Sequence, residues 1–127
     1  MSTGEVVRML TVAGLSGLAW ISTTSCHAQN YPNRTIRMVV PLAPGGGTDL
    51  VVRIVSPKLS EQLSVSIIVD NRAGGGTVIG TEFFSRAAPD GYTLSAASPE
   101  FSINPSLRKL PYDTINDFTC ITQLTSG

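Results

Sequence analysis

The sequence predicts an α/β chain: an open, mainly parallel sheet with flanking helices. Three observations carry that expectation. Short β-branched runs recur at residues 36–41 ("IRMVVP"), 65–69 ("VSIIV") and 92–97 ("YTLSAA"). The stretches between them place apolar residues at helical spacing. The first two runs each feed a glycine-rich loop, in "PLAPGGGTDL" and "NRAGGGTVIG", that opens onto a helical pattern. Strand, helix, strand, helix, strand is the order of parallel βαβ units with right-handed crossovers.

Each element has its own warrant. Residues 36–41 form a short apolar run ended by a Pro-Gly turn, as a buried strand would be. From Thr48, apolar residues fall at Leu50, Val51, Ile54, Val55, Leu59 and Leu63, the pattern of a helix with one buried face. Thr48 or Asp49 is placed to cap its start, because a short side-chain oxygen satisfies the orphan amides there. Pro57 lies inside the pattern and should kink or split the helix. A second helix is expected at residues 77–88 and a turn at Asp90-Gly91. Residues 98–105 read as a polar loop with room for one helical turn. Residues 118–124 ("FTCITQL") read as a fourth strand.

The first 28 residues read as a leader rather than as fold. Arg8 and the amino terminus supply a basic start, and Met9 begins a mainly apolar run that ends at Ile21. Such runs span about 7–15 residues in secretory signals, and a membrane-spanning helix needs roughly 18–20. Cleavage after Ala28 would leave an exported, mature chain starting at Gln29. Cys26 raises a lipid-attachment alternative, but Thr23, Thr24 and Ser25 lack the aliphatic residue such a site wants. An uncleaved segment is the third option. Residues 1–28 are thus expected to be a signal peptide and 29–127 the folded part.

Charge and composition exclude several functions. The formal net charge is zero and basic residues do not cluster, which argues against nucleic acid. His27 is the sole histidine and would depart with the leader, removing every Ser-His or Cys-His pair. No G-x-S-x-G elbow is present. Cys120 would be the only remaining cysteine, so no disulfide or metal cluster is expected, and it reads as a small buried apolar residue. An enzyme is therefore not the expectation, and neither a cofactor nor a metal is.

In open parallel sheets, ligands sit outside the carboxyl ends of the strands. The loops expected there are 41–49, 71–77 and 98–104, the glycine-rich and hydroxyl-bearing parts of the chain. The first is not a P-loop, lacking Gly-Lys-Ser/Thr after its glycines, and Leu50 stands where G-x-G-x-x-G needs its last glycine. What remains is physical: glycines let backbone amides approach a ligand, and a helix amino terminus favours negative charge. A small carboxylate suits such a site; a plain tight turn into the helix is the alternative. Candidate contacts are Gly45, Gly46, Gly47, Thr48 and Asp49 in the first loop and Gly74, Gly75, Gly76 and Thr77 in the second. Ser98 and Ser102 offer hydroxyls in the third. Asp49 reads as a helix cap before a catalytic acid, and Arg72 as either a carboxylate partner or a surface arginine. Glu100 would repel an anion unless it faces solvent or an amino group. Tyr92 and Tyr112 read as packing residues.

Five stretches together resemble a known family. "YPNRTIRMVVPLAPGGGTDLVVRIVSPKLSEQL", "VDNRAGGGTVIG", "APDGYTL", "INPSL" and "LPYDTINDF" follow, in order, the amino-terminal part of the Bug family. These are periplasmic substrate-binding proteins of tripartite tricarboxylate transporters. The resemblance implies a type II periplasmic binding protein fold, in which two lobes close on a small carboxylated ligand, held mainly by amides, hydroxyls and bridging waters. It adds Ala43 to the expected ligand contacts and implies the transporter's membrane subunits as partners of a monomeric receptor. Residues 29–127 would then be an incomplete first lobe. Ala73 and Thr77 depart from the family's proline and last glycine in the second loop, and Pro99 and Glu100 stand where small or hydroxyl residues are usual. The alternative is a non-functional fragment, or a protein-interaction module using the glycine-loop edge.

Overall fold

The computed structural model describes residues 31–125, and the leader expected at 1–28 lies outside them. Three strands and three helices alternate: β1 (Ile36–Val40), α1 (Gly47–Leu63), β2 (Ile67–Asn71), α2 (Val78–Ser85), β3 (Thr93–Ser95) and α3 (Pro99–Leu107). The strands form one sheet in the order β2-β1-β3, and both pairings are parallel. This is the open parallel sheet with flanking helices that the sequence predicts.

β1 takes the centre because its apolar residues can be buried on both faces. Ile36, Val39 and Val40 are fully buried. Met38, Val40, Val52 and Ala96 form the core, with Leu42, Ile67, Val69 and Leu94 packed against it. The start of the described chain is strapped across the turn before β3. The Tyr31 hydroxyl donates to the Gly91 carbonyl at 2.8 Å, and Arg34 pairs with Asp90 at 2.7 Å while lying over the Tyr92 ring.

Several expectations are corrected. β2 begins two residues later than residues 65–69, since Ser64 adopts a left-handed conformation and the Ser60 hydroxyl holds the Val65 carbonyl. The strand then runs on through Asp70 and Asn71, whose polar side chains find partners beside an exposed sheet edge. Pro57 does not split α1, which is continuous for 17 residues. Pro57 lies on the exposed side, where water can hydrate the carbonyl that loses its helical donor.

The face α1 buries is also not the one its apolar residues mark. Leu50 and Ile54 are each 60% exposed, whereas Asp49, Val52 and Ser56 are buried. Ser56 donates to the Val52 carbonyl at 2.7 Å, so its hydroxyl is satisfied inside the helix and its small volume permits close packing.

Residues 98–105 do not form a loop; Pro99 starts α3, a nine-residue helix. α2 starts after Thr77 and ends at Ser85, shorter than expected. Residues 118–124 are not a strand. Phe118 is instead the centre of an aromatic cluster, 5.7 Å from Phe84, 5.2 Å from Phe101 and 5.7 Å from Tyr112. Cys120, beyond it, is exposed rather than buried.

Candidate functional site

Because both strand pairs are parallel, the carboxyl ends of all three strands share one edge of the sheet. Val40 stands opposite Asn71, and Val39 opposite Ser95. The glycine loops after β1 and β2 and the segment after β3 therefore emerge together, and each leads into a helix amino terminus. Ala43, Gly45, Gly46, Gly47, Thr48 and Asp49 lie in the first segment, Gly74 to Thr77 in the second, and Ser98 with Ser102 at the start of α3.

In the first loop, part of the backbone is already committed. Gly45, at φ +85°, turns its amide to the Asp49 carboxylate at 2.9 Å, and the Gly46 amide faces the Ala43 carbonyl at 3.5 Å. The first amide bonded within α1 is that of Leu50, to the Gly46 carbonyl at 2.9 Å. The amides of Gly47, Thr48 and Asp49 precede it and point out of the helix end. Those three, with the partial positive charge of the terminus, are what the loop offers an anion.

Neither Thr48 nor Asp49 caps α1: Gly46 occupies the cap position, with no side-chain cap bond. Asp49 sits inside the first turn, 2% exposed, and both its oxygens are used. Oδ2 accepts from Gly45 N and from Arg53 Nε, and Oδ1 from Asn71 Nδ2, each at 2.9 Å. The Arg53 hydrogen bond, then the Gly45 amide and the Asn71 amide, lower its pKa to about 2, so it is charged at neutral pH.

The second loop has an unusual backbone. Gly74, Gly75, Gly76 and Thr77 all have positive φ, and Thr77 pays for it with a left-handed conformation rare for β-branched residues. α3 holds this run. Asn104 donates to the Gly76 carbonyl at 2.7 Å, and Arg108 donates to the Gly75 carbonyl at 3.0 Å. In a trans peptide the amide points opposite the carbonyl. The amides of Gly76 and Thr77 are thereby turned away from α3.

Arg72 is bound up locally, paired with Asp70 at 2.9 Å and lying over the Phe83 ring. Glu100 is exposed. The Ser98 hydroxyl beside it holds its carboxyl below the usual range, although that buried hydroxyl meets no full hydrogen-bonding geometry among the described residues. Sequence reasoning missed Arg53, Asn71, Asn104 and Arg108, although "VDNRAGGGTVIG" and "INPSL" contain two of them. A broad open groove of about 600 Å³ lies elsewhere, along Pro105, Arg108, Lys109, Tyr112 and Asp117, past the end of α3. Among the described residues no three side chains are grouped to hold a metal, and no helix is long and apolar enough to cross a membrane.

The family model described as tripartite tricarboxylate transporter family receptor matches residues 51–127. The chain belongs to that receptor family. Protein BugT of Bordetella pertussis (strain Tohama I) is 35% identical over 123 residues, covering 94% of this chain and 38% of BugT. The structure of the periplasmic binding protein BugD is 42% identical with a TM-score of 0.66, over 69% of this chain and 30% of BugD. MatC from Rhodopseudomonas palustris, solved with bound malate, is 33% identical with a TM-score of 0.62, over 70% of this chain and 31% of MatC. The chain thus spans about a third of the length of the relatives it matches, and its fold is a partial lobe of a periplasmic binding protein.

Proposed function

We propose that the glycine-loop edge is one wall of a periplasmic binding site that captures a small carboxylated molecule for a tripartite tricarboxylate transporter. The observation that carries this reading is the convergence of three helix amino termini on one sheet edge, with the amides of Gly47, Thr48 and Asp49 outward at the first. A carboxylate is matched to such donors: each hydrogen bond to a charged group contributes about 1.5–3 kcal/mol net. Thr48 and Ser102 would add hydroxyls from the same sheet edge, whereas the Ser98 hydroxyl is buried. That MatC, of the same family, holds malate favours a dicarboxylate of similar size.

The edge is open to solvent, and binding has to offset roughly 4–15 kcal/mol of lost ligand freedom. Affinity therefore depends on a facing lobe that excludes water, and the membrane subunits of the transporter would receive the loaded receptor. Export would follow from the leader expected at residues 1–28, and mass spectrometry of periplasmic material should then find Gln29 as the first residue. Retention of Met1 or a lipid on Cys26 would contradict it.

Titration of the isotope-labelled chain with malate, read by amide NMR, tests the site. The expected result is movement of the Gly47, Thr48, Asp49, Gly76 and Thr77 amides with a midpoint at about millimolar or weaker. Joining the chain to the remaining two thirds of BugD should tighten binding at the same amides. Unmoved amides in both proteins would sink the reading.

A further inference from the structure

Asp49 lies in the candidate site, yet its carboxylate is buried and faces inward. Its partners form a closed ring with Arg53 and Asn71. Asp49 accepts from Arg53 and from Asn71, and Arg53 Nη2 donates to Asn71 Oδ1 at 3.0 Å. The ring also grips the first glycine loop at two points. The Gly45 amide donates into Asp49 at 2.9 Å, and Asn71 Nδ2 donates to the Leu42 carbonyl at 3.2 Å. Asn71 is the last residue of β2, immediately before the second glycine loop. Its neighbour Arg72 donates its backbone amide to the Val40 carbonyl at 2.8 Å, extending the sheet to the loop's root.

We infer that the side chains of Asp49 and Asn71 are positioning groups rather than ligand contacts: together they fasten the first glycine loop to the root of the second and fix the spacing of the two amide sets, the Asp49 backbone amide among them. The inference rests on the carboxylate-binding reading for its purpose, and on the ring itself for its mechanism. A glycine-rich loop is entropically expensive to hold, since glycine loses more conformational freedom on ordering than any other residue. A buried, charged acceptor is a strong fastening because charge-assisted hydrogen bonds are short and about twice as strong as neutral ones. The side chains cannot serve a ligand without releasing the loop. Asn71 is the complement required at its place: one amide donates to both Asp49 and Leu42 while its oxygen accepts from Arg53.

Amide hydrogen exchange and malate titration of the same chain, both by NMR, separate the mechanism from its purpose. In Asp49→Asn, Gly45 should exchange about tenfold faster, the equivalent of one lost charge-assisted bond. The malate midpoint read at Gly76 and Thr77, on the other loop, should weaken severalfold. The reciprocal double variant Asp49→Asn/Asn71→Asp restores an acceptor-donor pair between the two positions but leaves the Leu42 carbonyl without its donor. Gly45 protection should therefore recover to within about threefold, which a merely bulk-filling role would not produce. Should Asp49→Asn fail to fold, Asn71→Ser, at a half-buried position, reads the same fastening through Gly45 exchange. Unchanged Gly45 exchange in the folded variants overturns the fastening. Changed exchange with an unaltered malate midpoint at Gly76 and Thr77 overturns the coupling of the loops. If malate moves no amide in the parent chain or in its fusion with the rest of BugD, the carboxylate reading fails, and the exchange result still decides the fastening.

Discussion

Asn104 Nδ2 donates to the Gly76 carbonyl at 2.7 Å and also reaches the Thr77 hydroxyl at 3.2 Å, with both Asn104 and Thr77 buried. One side chain of α3 thus holds the two residues that end the second glycine loop and start α2. The positive φ values along this loop are disfavoured in isolation and persist because α3 fixes them from outside.

Asn104→Ala should therefore destabilise the chain by about 1–3 kcal/mol, since it strands the buried Thr77 hydroxyl and takes the donor from the Gly76 carbonyl. Urea denaturation measures this. A change under about 0.5 kcal/mol, the range of ordinary surface substitutions, would mean the loop holds its own shape.

Two glycines make opposite predictions on packing. A Cβ at Gly80 would meet the Arg72 carbonyl oxygen at 2.5 Å and Pro41 Cα at 2.7 Å, both backbone atoms that cannot step aside. A Cβ at Gly47 meets nothing within 4 Å. Gly80→Ala should lower stability by about 1–3 kcal/mol or more by overpacking. Gly47→Ala, at a helical position, should be neutral or gain a few tenths of a kcal/mol. Thermal melting of the two variants checks the contrast; equal melting would refute the close approach of α2 to the sheet.

How much of this was legible beforehand depends on how local the cause is. β1 was legible because "IRMVV" is apolar enough to be buried on both faces, and the shared sheet edge followed from strand order alone. The buried face of α1 was not. It is set by Asp49, whose partner Asn71 is 22 residues away, so a polar residue turns inward and Leu50 and Ile54 turn out. Residues 118–124 carry strand-like composition, but Phe118 is drawn to Phe84, Phe101 and Tyr112, contacts no local pattern specifies. In the site, the glycines announced the loops. The fastenings, Arg53, Asn71, Asn104 and Arg108, are polar residues on neighbouring elements and look like ordinary surface side chains in the sequence.

Acid should loosen the first loop in a defined window. The Asp49 carboxyl titrates at about 2 against an ordinary 3.8, because its hydrogen bonds favour the charged form. Between those values the unfolded chain binds more protons, so stability falls as pH falls. The contribution is complete above the ordinary value and gone below about 2. The urea midpoint of the parent chain should drop more steeply between pH 5 and pH 2 than that of Asp49→Asn. Asp113, also held below its ordinary pKa by the Ile115 amide, then the side chain and amide of Asn116, declines in both and cancels in the comparison. Parallel curves would show that the ring does not hold the charged form.

Gly46→Val separates the loop's shape from its use. Gly46 has φ −74° and ψ 165°, extended backbone that valine adopts readily, and an added Cβ meets only the Ala43 carbonyl oxygen at 3.6 Å. The fold should therefore tolerate the change to within about 1 kcal/mol. The branched side chain would nevertheless stand at the mouth of α1, next to the outward amides of Gly47, Thr48 and Asp49. A carboxylate needs to come within about 3 Å of those nitrogens, and two added methyl groups obstruct that approach. The malate response of the three amides should disappear while Gly45 exchange stays as in the parent chain. In the fusion with the remaining two thirds of BugD, the gain in affinity should disappear with it. A variant that folds and binds malate with an unaltered midpoint would remove the first loop from the site, however well the second loop responds.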